Sequence, residues 1–498
     1  MEETINRVAP SIKQQAIYDL FHNTNYNIII NAVAGSGKTT TLMQLLEQIN
    51  EKALFLAFNK SIQTEIQEKI DSRGLKMGKA LTMHALGLLA IRNWKTTRIN
   101  NSKNYELVRK LQDDFPEHFG RRKMRWEDKL RASFTLMDMN DVSRMFLTDD
   151  YETVVEAMVS IDKSVYEFPG IKEVWEQMLT YRYAAYEENT VEVDFQDMIF
   201  LAAHKNLEIP LEPTYLFIDE CQDLNLAQHK MINNFIEQGT IRKWVAVGDK
   251  NQAIYGFSGA SGESFNMFLD KGNVRQMPLD MCYRCPRSVV TEANKVFNVM
   301  MPAKREEGKV REINDVSLVK NDSMIVCRNT NPLFQLYFKL LAQNKSCYIK
   351  GEEVFAQLKN FMKPYDRDTI HDAKRKIREK IQHLSMKNDE KSRITMYRMK
   401  DSFKNFNLLV ENLCGEFDKV SFLVNKMERI FVNMDNAIML CTIHKSKGME
   451  ADVVYILDEH LIPSKYAKSP QQVRQEENLK YVARTRAKEE LYYLNLDL

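Results

Sequence analysis

The fold is decided by the stretch Asn27-Ile28-Ile29-Ile30-Asn31-Ala32-Val33-Ala34-Gly35-Ser36-Gly37-Lys38-Thr39. It opens with a short run of β-branched residues and closes in a glycine-rich loop, after which a helical pattern begins with Leu42, Leu45, Leu46 and Ile49. Further apolar strand patterns follow at 53–58, 215–218 and 244–247. Strands that alternate with helices predict a parallel α/β sheet whose ligand lies at the carboxyl ends of the strands.

A second α/β pattern begins near residue 281, with buried-strand patterns at 323–327, 437–441 and 453–457. Long, polar helical patterns interrupt both α/β regions. We therefore predict an α/β protein with two parallel-sheet cores, each carrying a helical insertion. The expected segments are a first core at 1–88 and 206–278 with a helical insertion at 89–205, and a second core at 279–356 and 429–498 with a basic helical insertion at 357–428.

Composition excludes several classes of protein. With 498 residues, of which 44% are hydrophobic and 28% charged, the chain is too long for a single small module. No stretch approaches the ~18 consecutive apolar residues of a membrane span, and the first residues, MEETINRVAP, do not form a signal peptide. Seven scattered cysteines do not form a disulfide framework. We expect a cytoplasmic protein, associated with the nucleoid if it is bacterial or phage-encoded.

The net charge of +2 conceals local differences. Segment 372–404 holds eleven Lys and Arg against five acids, and 121–125 is a shorter basic cluster. Either could be a solvated helix face or a contact with a polyanion, and the sequence leaves both readings open.

The glycine-rich loop is close to the P-loop pattern GxxxxGK[ST], with Ala32 in place of the first glycine. Glycines let backbone N–H groups turn towards phosphate oxygens, a lysine reaches the β- and γ-phosphates, and a hydroxyl binds Mg²⁺. Because the loop joins a strand pattern to a helix pattern, we predict an ATP site. Its candidate residues are Ala34, Gly35, Ser36, Gly37, Lys38 and Thr39.

Two adjacent acids, Asp219 and Glu220, directly follow the strand pattern at 215–218. A P-loop enzyme needs an acid at the metal and a base that orients the attacking water. We expect Asp219 with Thr39 at Mg²⁺, and Glu220 as the catalytic base.

Later motifs, in this order along the chain, resemble those of UvrD/Rep-like superfamily 1 DNA helicases. They are 219–223 (DECQD), 247–257 (VGDKNQAIYGF), Tyr283-Arg284, 442–450 (TIHKSKGME) and 481–487 (YVARTRA). The stretch 58–62 (FNKSI) is more similar to the F-box DNA helicase branch of this family, although nothing in the sequence resembles an F-box. The resemblance implies two RecA-like cores.

The same resemblance implies roles for individual residues at the nucleotide. Gln14 would read the adenine edge, Tyr283 would stack on the base, and Glu450 would bind the ribose. Gln252 would sense the γ-phosphate, and Arg284 and Arg486 would act as arginine fingers on it.

For DNA, the resemblance implies a single-stranded path across both cores. Aromatic side chains would stack on bases, and polar ones would contact phosphates. The implied DNA-binding residues are Phe58, Asn59, Lys60, Thr82, His84, Tyr255, Phe257, Thr442, His444 and Lys445.

Two positions depart from what the family pattern explains. Ser258 stands where the family commonly has an arginine, which leaves one polar contact in question. Cys282 and Cys285 have CxxC spacing, but no second pair follows, so we interpret them as incidental cysteines rather than zinc ligands.

These implications lead to one expected function and one alternative. The expected function is an ATP- and Mg²⁺-dependent DNA helicase that moves 3′→5′ on single-stranded DNA, unwinds duplex at junctions and works with loading, replication or repair proteins. The alternative is a translocase that mainly strips bound proteins, since the second insertion is compact. A DNA-binding scaffold with a degenerate ATPase is disfavoured because the ATPase residues are all present. A nuclease domain is not expected, because few residues follow Arg486.

Overall fold

The computed structural model describes residues 9–119, 126–161, 163, 165–256, 263–303, 306–386, 390–432, 434–465 and 467–496. The chain divides into two compact units. Unit 1 comprises Met1–Val33 and Gly37–Asp280, and unit 2 comprises Ala34–Ser36 and Met281–Leu498.

Unit 1 alternates strands and helices, with a cluster of helices between β4 and β5. Its strands are β1 (Asn27–Ala32), β2 (Ala53–Ala57), β3 (Gly78–Thr82), β4 (Thr96–Ile99), β5 (Thr190–Val193), β6 (Tyr215–Ile218), β7 (Lys243–Gly248) and β8 (Val274–Leu279). Its helices are α1 (Ile12–Asn23), α2 (Lys38–Glu47), α3 (Lys60–Ser72), α4 (Met83–Trp94), α5 (Lys103–Asp114), α6 (Pro116–Phe119), α7 (Trp126–Phe146), α8 (Tyr151–Ser160), α9 (Ile171–Glu187), α10 (Phe195–His204), α11 (Leu226–Glu237) and α12 (Asn266–Leu269).

The main sheet of unit 1 is parallel and has the order β3-β2-β6-β7-β1-β8. Successive strand residues face opposite sides, so Ile29 and Leu56 pack with α4, α10 and α11, whereas Ile28 and Phe55 pack with α1, α2 and α3. Both faces are covered, which explains why these strands are almost entirely apolar. The parallel arrangement brings the carboxyl ends of β1, β2, β6 and β7 to one edge.

The helices between β4 and β5 have a hydrophobic core of their own, made by α5, α7, α8 and α9 around Trp175. A buried charge cluster joins this helical part to α10. The guanidinium of Arg144 in α7 donates to Asp194 at 2.8 Å and to Asp197 at 2.7 Å, and Lys103 donates to Asp197 at 2.6 Å. Arg144 is 1% exposed, so the two acids compensate a charge that lies out of reach of water.

Unit 2 has a second alternating series. Its strands are β9 (Met281–Cys282), β10 (Met301–Pro302), β11 (Lys309–Ile313), β12 (Met324–Cys327), β13 (Cys347–Ile349), β14 (Ile438–Thr442), β15 (Ala451–Leu457) and β16 (Ala487–Leu494). Its helices are α13 (Arg287–Asn294), α14 (Thr330–Ala342), α15 (Glu352–Met362), α16 (Ile370–Ser385), α17 (Glu390–Leu413), α18 (Val420–Met427) and α19 (Pro470–Arg484).

The main sheet of unit 2 is also parallel, with the order β11-β16-β15-β12-β14-β13. Helices α14 to α18 share one hydrophobic core with it. The predicted fold class, α/β with two RecA-like cores built on parallel sheets, is confirmed. The segment boundaries given above stay predictions. Among the described residues, none of the helices combines the length and apolar character that a membrane crossing needs.

The basic segment 372–404 is partly neutralised by its own neighbours. Lys374 pairs with Glu416 at 2.5 Å, Arg375 pairs with Asp372 and Glu379, and Lys376 pairs with Asp368 at 2.8 Å. The count of basic residues in the sequence therefore overstates the positive charge that α16 offers to a polyanion. The shorter cluster at 121–125 lies outside the described residues.

Candidate functional site

The glycine-rich loop takes the conformation that its glycines allow. Gly35 and Gly37 have φ values of +67° and +83°, in the left-handed region that disfavours side chains. Helix α2 begins directly after Gly37, and the hydroxyl of Thr41 donates to the Gly37 carbonyl at 2.9 Å. The N-cap residue Gly37 makes no side-chain hydrogen bond to the start of α2, an arrangement that suits the binding of an anion by backbone N–H groups.

Lys38 is held by an acid at the end of β6, which β7 separates from β1 in the sheet. Its Nζ donates to Oε1 of Glu220 at 2.9 Å, and both side chains are largely buried. Burial favours the neutral amine, but the carboxylates of Glu220, Asp219 and Asp249 outweigh that effect and raise the pKa of Lys38. The lysine is therefore a permanent cation at the first helical position after the loop.

Asp219 and Glu220 leave β6 through a sharp turn in which Glu220 has a φ of +50°. The carboxylate of Asp219 accepts from the Glu220 N–H at 2.9 Å, and Glu220 accepts from Nε2 of Gln222 at 2.6 Å. Burial and the charge of Glu220 raise the pKa of Asp219 to about 7. Burial also raises the pKa of Asp249.

Several carboxylates are thus crowded around one lysine. A divalent cation would relieve that repulsion, so the donor set fits Mg²⁺, a hard ion that prefers oxygen ligands. In the part of the chain that the structure describes, no group of three or more His, Cys, Asp or Glu is arranged to hold a metal.

Gln252 and Gln14 lie in unit 1 with their amides oriented by neighbours. Gln252 donates to Asp249 at 2.7 Å and is 4% exposed. Gln14 sits in a capping box at the start of α1, where it accepts from the Ser11 N–H at 2.9 Å and donates to the Thr41 hydroxyl at 3.0 Å. These two bonds leave the Gln14 amide with one further N–H and one further carbonyl lone pair. An adenine edge can be recognised by one donor and one acceptor of this kind.

The tip of the loop, Ala34–Ser36, packs within unit 2. The carbonyl of Gly35 accepts from the Tyr283 N–H at 2.8 Å, and the Ala34 N–H donates to the Tyr481 hydroxyl at 3.2 Å. The Ser36 hydroxyl is buried, and no described residue hydrogen-bonds with it. A ligand oxygen could satisfy that group.

Unit 2 brings two predicted site residues into one ion pair. Arg284 donates to Glu450 at 2.7 Å and to the Thr485 carbonyl at 3.2 Å. Arg486 is 1% exposed and donates to the carbonyls of Val482 and Met449 at 2.9 and 3.1 Å. Arg284 is thus partly accessible, whereas this conformation holds Arg486 inside the unit. Tyr283 is 44% exposed, as a base-stacking side chain must be.

Two aromatic rings stack at the edge of the unit 1 sheet where its parallel strands end. Phe58, just after β2, stacks on Tyr255 with ring centres 5.3 Å apart and planes at 14°. Asn59 and Thr82 are the N-caps of α3 and α4 and accept from backbone N–H groups at 2.9 and 3.2 Å. Lys60 donates to Gln63 at 2.6 Å on the exposed start of α3.

A second stack involves a residue that the sequence analysis missed. His84 lies on Phe195 with ring centres 3.5 Å apart, and Phe195 is 56% exposed. Burial lowers the pKa of His84 to about 4, so its ring is neutral at physiological pH. The sequence does contain one indication of Phe195: it is an aromatic residue at the first position of a helix, between Asp194 and Asp197, which form a capping box. A large exposed apolar side chain at such a place is unusual.

The close approach of α4 and α10 produces this second stack. A Cβ on Gly87 would lie 1.9 Å from the Met198 carbonyl oxygen, so only glycine fits there. Gly87 is one turn after His84, and Met198 is one turn after Phe195. The missing side chain therefore lets the two rings meet.

In unit 2, Thr442 ends β14 and accepts from the Lys445 N–H at 3.3 Å. Burial, and then the nearby Arg328 and Lys447, lower the pKa of His444 to about 3. Thr442, His444 and Lys445 thus share one turn at a strand end. Phe257 and Ser258 lie outside the described residues.

Comparison with known proteins agrees with these observations. A family model described as the UvrD/REP helicase N-terminal domain matches residues 13–272, just over half of the chain. ATP-dependent DNA helicase PcrA of Leuconostoc citreum is 25% identical over 303 residues, which cover 54% of this chain and 37% of the relative. F-box DNA helicase protein 1 of Schizosaccharomyces pombe is 23% identical over 525 residues, covering 96% of this chain and 56% of the relative.

Among solved structures, Arterivirus nonstructural protein 10 (helicase) aligns over 97% of this chain and 61% of its own, with 10% identity and a TM-score of 0.35. This chain spans between about a third and just over half of the length of the two curated relatives. The family match at 13–272 contains the P-loop, the acids after β6 and the aromatic residues after β2. The chain belongs to the UvrD/Rep helicase family.

Proposed function

We propose that this protein is an ATP-dependent DNA helicase that moves 3′→5′ on single-stranded DNA and opens duplex ahead of it. The observation that carries the proposal is the cluster of Lys38, Asp219 and Glu220 at one sheet edge, with stacked aromatic pairs at the same edge of the same unit. Such an edge can bind a nucleotide and a strand of nucleic acid side by side.

At the nucleotide, each group of the chain has a chemical task. Backbone N–H groups of the loop and Lys38 bind phosphate oxygens, while Glu220 orients the attacking water and accepts its proton. Thr39 and Asp219 would hold Mg²⁺, which would supply positive charge beside the phosphates when bound. Arg284 and Arg486 are the proposed arginine fingers, and Gln252 the proposed γ-phosphate sensor.

Nucleotide binding has to rearrange the pairs described above. A phosphate oxygen competes with Glu220 for Lys38, which frees Glu220 to bind water. The ribose hydroxyls compete with Arg284 for Glu450, which releases the arginine. Both exchanges replace a protein ion pair by a contact with the nucleotide, so the catalytic groups become available only when ATP is present.

At the DNA, the exposed faces of the stacked pairs offer platforms for bases. Stacking on an aromatic ring contributes about 1–3 kcal/mol per base and does not depend on base identity. Asn59, Lys60 and Thr442 would contact phosphates, which position the strand without reading its sequence. Sequence-independent contacts are what a translocating motor requires.

The test uses the full chain and its Lys38→Ala variant, with Lys52→Ala as a control at an exposed lysine. ATP hydrolysis is measured with and without single-stranded DNA, and strand separation is measured on duplexes with a 3′ or a 5′ tail. We expect DNA-stimulated hydrolysis and unwinding of the 3′-tailed duplex, both abolished by Lys38→Ala while DNA binding remains. Unwinding by Lys38→Ala, or unwinding of the 5′-tailed duplex alone, would contradict the proposal.

A further inference from the structure

The two cysteines of the CxxC sequence lie against each other inside unit 2. Cys282 is the last residue of β9, and Cys285 precedes Pro286, the N-cap of α13. The Cys285 N–H donates to Sγ of Cys282 at 3.4 Å, and both side chains are fully buried. Four residues that turn from a strand into a helix thus bring two thiols together.

The two thiols are chemically unequal. A hydrogen bond from the Cys285 thiol, opposed by burial, lowers the pKa of Cys282 to about 7, and the same hydrogen bond raises the pKa of Cys285. Burial instead raises the pKa of Cys327 and of Cys441 to about 12. Cys282 is therefore the more acidic thiol of the pair and the one that reacts more readily as a thiolate, whereas burial disfavours the thiolates of the other two.

The pair encloses the arginine proposed to act on the nucleotide. Tyr283 and Arg284 are the two residues between the cysteines. Arg284 donates to the Thr485 carbonyl at 3.2 Å, and Sγ of Cys285 lies 3.7 Å from the same oxygen. The Thr485 carbonyl belongs to the residue that precedes Arg486. The two thiols therefore lie near both proposed arginine fingers, Arg284 and Arg486.

The loop tip also packs on this segment. A Cβ on Gly35 would lie 2.5 Å from Cβ of Arg284 and 3.2 Å from Sγ of Cys282. Gly35 thus packs against Cys282 and Arg284 so closely that a side chain at this position would not fit. A covalent change at Cys282 would therefore take place directly beside the loop tip and Arg284.

We propose that Cys282 and Cys285 form a reversible disulfide that switches off nucleotide hydrolysis. The bond would close a ring through Tyr283 and Arg284, and would change the sulfur that lies beside the Thr485 carbonyl. The effect on hydrolysis rests on the proposed function, but formation of the bond does not.

The oxidant in this proposal is hydrogen peroxide, which is little larger than water. It would reach the buried sulfur through local opening of the chain beside the exposed Tyr283.

The Cys282 thiolate attacks one peroxide oxygen, the O–O bond breaks, and hydroxide leaves and is protonated to water. Cys282 is then a sulfenic acid. The Cys285 sulfur attacks it, the S–O bond breaks, and water leaves with the thiol proton. Two thiols and one peroxide give one disulfide and two waters, and a dithiol reductant reverses the change.

The first experiment follows the bond itself. The full chain is treated with graded hydrogen peroxide, free thiols are alkylated after unfolding, and the protein is reduced and alkylated with a second reagent before mass spectrometry. We expect Cys282 and Cys285 to acquire the second label together, while Cys327 and Cys441 keep the first. Persistence of the first label on Cys282 and Cys285, or the same oxidation at Cys327 and Cys441, would overturn the proposal.

The second experiment follows hydrolysis in the same samples. We expect peroxide to reduce DNA-stimulated hydrolysis by at least about tenfold, since an arginine finger alone contributes ~10³-fold or more. Dithiothreitol should restore it. Cys285→Ser should resist reversible inactivation relative to its own untreated rate, and Cys414→Ser, a half-exposed cysteine elsewhere, should behave as the unmodified chain does.

The outcomes separate the two proposals. A disulfide that forms without any loss of hydrolysis overturns the switch. Absence of hydrolysis in the fully reduced protein contradicts the proposed function, and the labelling result then still decides whether the bond forms. Inactivation that dithiothreitol does not reverse, or that persists in Cys285→Ser, also overturns the switch.

Discussion

Lys38 of the glycine-rich loop and Glu220 at the end of β6 form a hydrogen-bonded ion pair of 2.9 Å. The proposed phosphate-binding lysine and the proposed catalytic base therefore hold each other in place. Substitution Glu220→Gln should reduce hydrolysis by about 10²–10⁴-fold, because the base is lost. ATP affinity should be retained or increased, since Lys38 loses a competing anion. Single-turnover hydrolysis and nucleotide titration measure the two effects.

The matched control for this substitution is Glu208→Gln, an exposed glutamate of the same unit. It should leave both quantities unchanged. Loss of ATP binding in Glu220→Gln together with loss of hydrolysis would show that the acid serves the fold of the site rather than the reaction.

Phe195 offers an exposed ring stacked on His84. Phe195→Ala should weaken binding of single-stranded DNA by about 1–3 kcal/mol, the usual contribution of one stacked base. Hydrolysis without DNA should be unaffected, because the Phe195 ring stacks on His84 and takes no part in the contacts of Lys38, Asp219 and Glu220 described above. Fluorescence anisotropy with a labelled oligonucleotide measures the change, and Phe134→Ala, an exposed phenylalanine of α7, is the control. Equal losses in the two variants would argue against a specific platform.

Gly87 lets α4 and α10 approach, and a Cβ there would meet the Met198 carbonyl at 1.9 Å. Gly87→Ala should force the helices apart, at a cost of about 1–3 kcal/mol in stability. It should also weaken DNA binding through loss of the His84 and Phe195 stack. Thermal unfolding and anisotropy test the two effects, with Gly272→Ala as a glycine that has open space around it. Full DNA affinity in Gly87→Ala would contradict this account of how the stack forms.

Arg144 compensates the buried acids Asp194 and Asp197. Arg144→Met should destabilise this region by about 3–5 kcal/mol, because Asp194 stays buried without a cation and Asp197 keeps only Lys103. Adding Asp197→Asn should recover part of the loss. Hydrogen exchange of α7 and α10 measures the effect locally, and Arg92→Met, at an exposed arginine, is the control. Unchanged exchange in Arg144→Met would show that the cluster contributes little.

Burial lowers the pKa of His84 to about 4 and of His444 to about 3. Both rings are neutral above those values and would gain charge only in stronger acid. Affinity for single-stranded DNA should therefore show no rise attributable to these rings as the pH falls from about 8 to 5. A rise near pH 6.5 that disappears in His84→Gln or His444→Gln would contradict this.

The sequence predicted those features of the fold that depend on local pattern. Apolar runs that end in polar residues identified β1, β2, β6 and β7, and the P-loop identified the edge at which their ends meet. Phe195 was not found, because its importance comes from the distance between α4 and α10, which no local pattern encodes. The partner of Lys374 could not be found either, since Glu416 lies about forty residues away. The burial of Arg486 depends on carbonyl groups of other segments in the same way.

The order of strands in unit 1 has a consequence for synthesis of the chain. Strands β1 and β2 are close in sequence, but β6 and β7 separate them in the sheet. Strand β2 cannot complete its pairing until β6 has left the ribosome, and β1 cannot do so until β7 and β8 have followed, after the helices between β4 and β5 have been made. The helical part has its own core and can fold first. During this interval two apolar strands lack their final neighbours, and the nascent chain depends on fast helix formation or on chaperones to avoid aggregation.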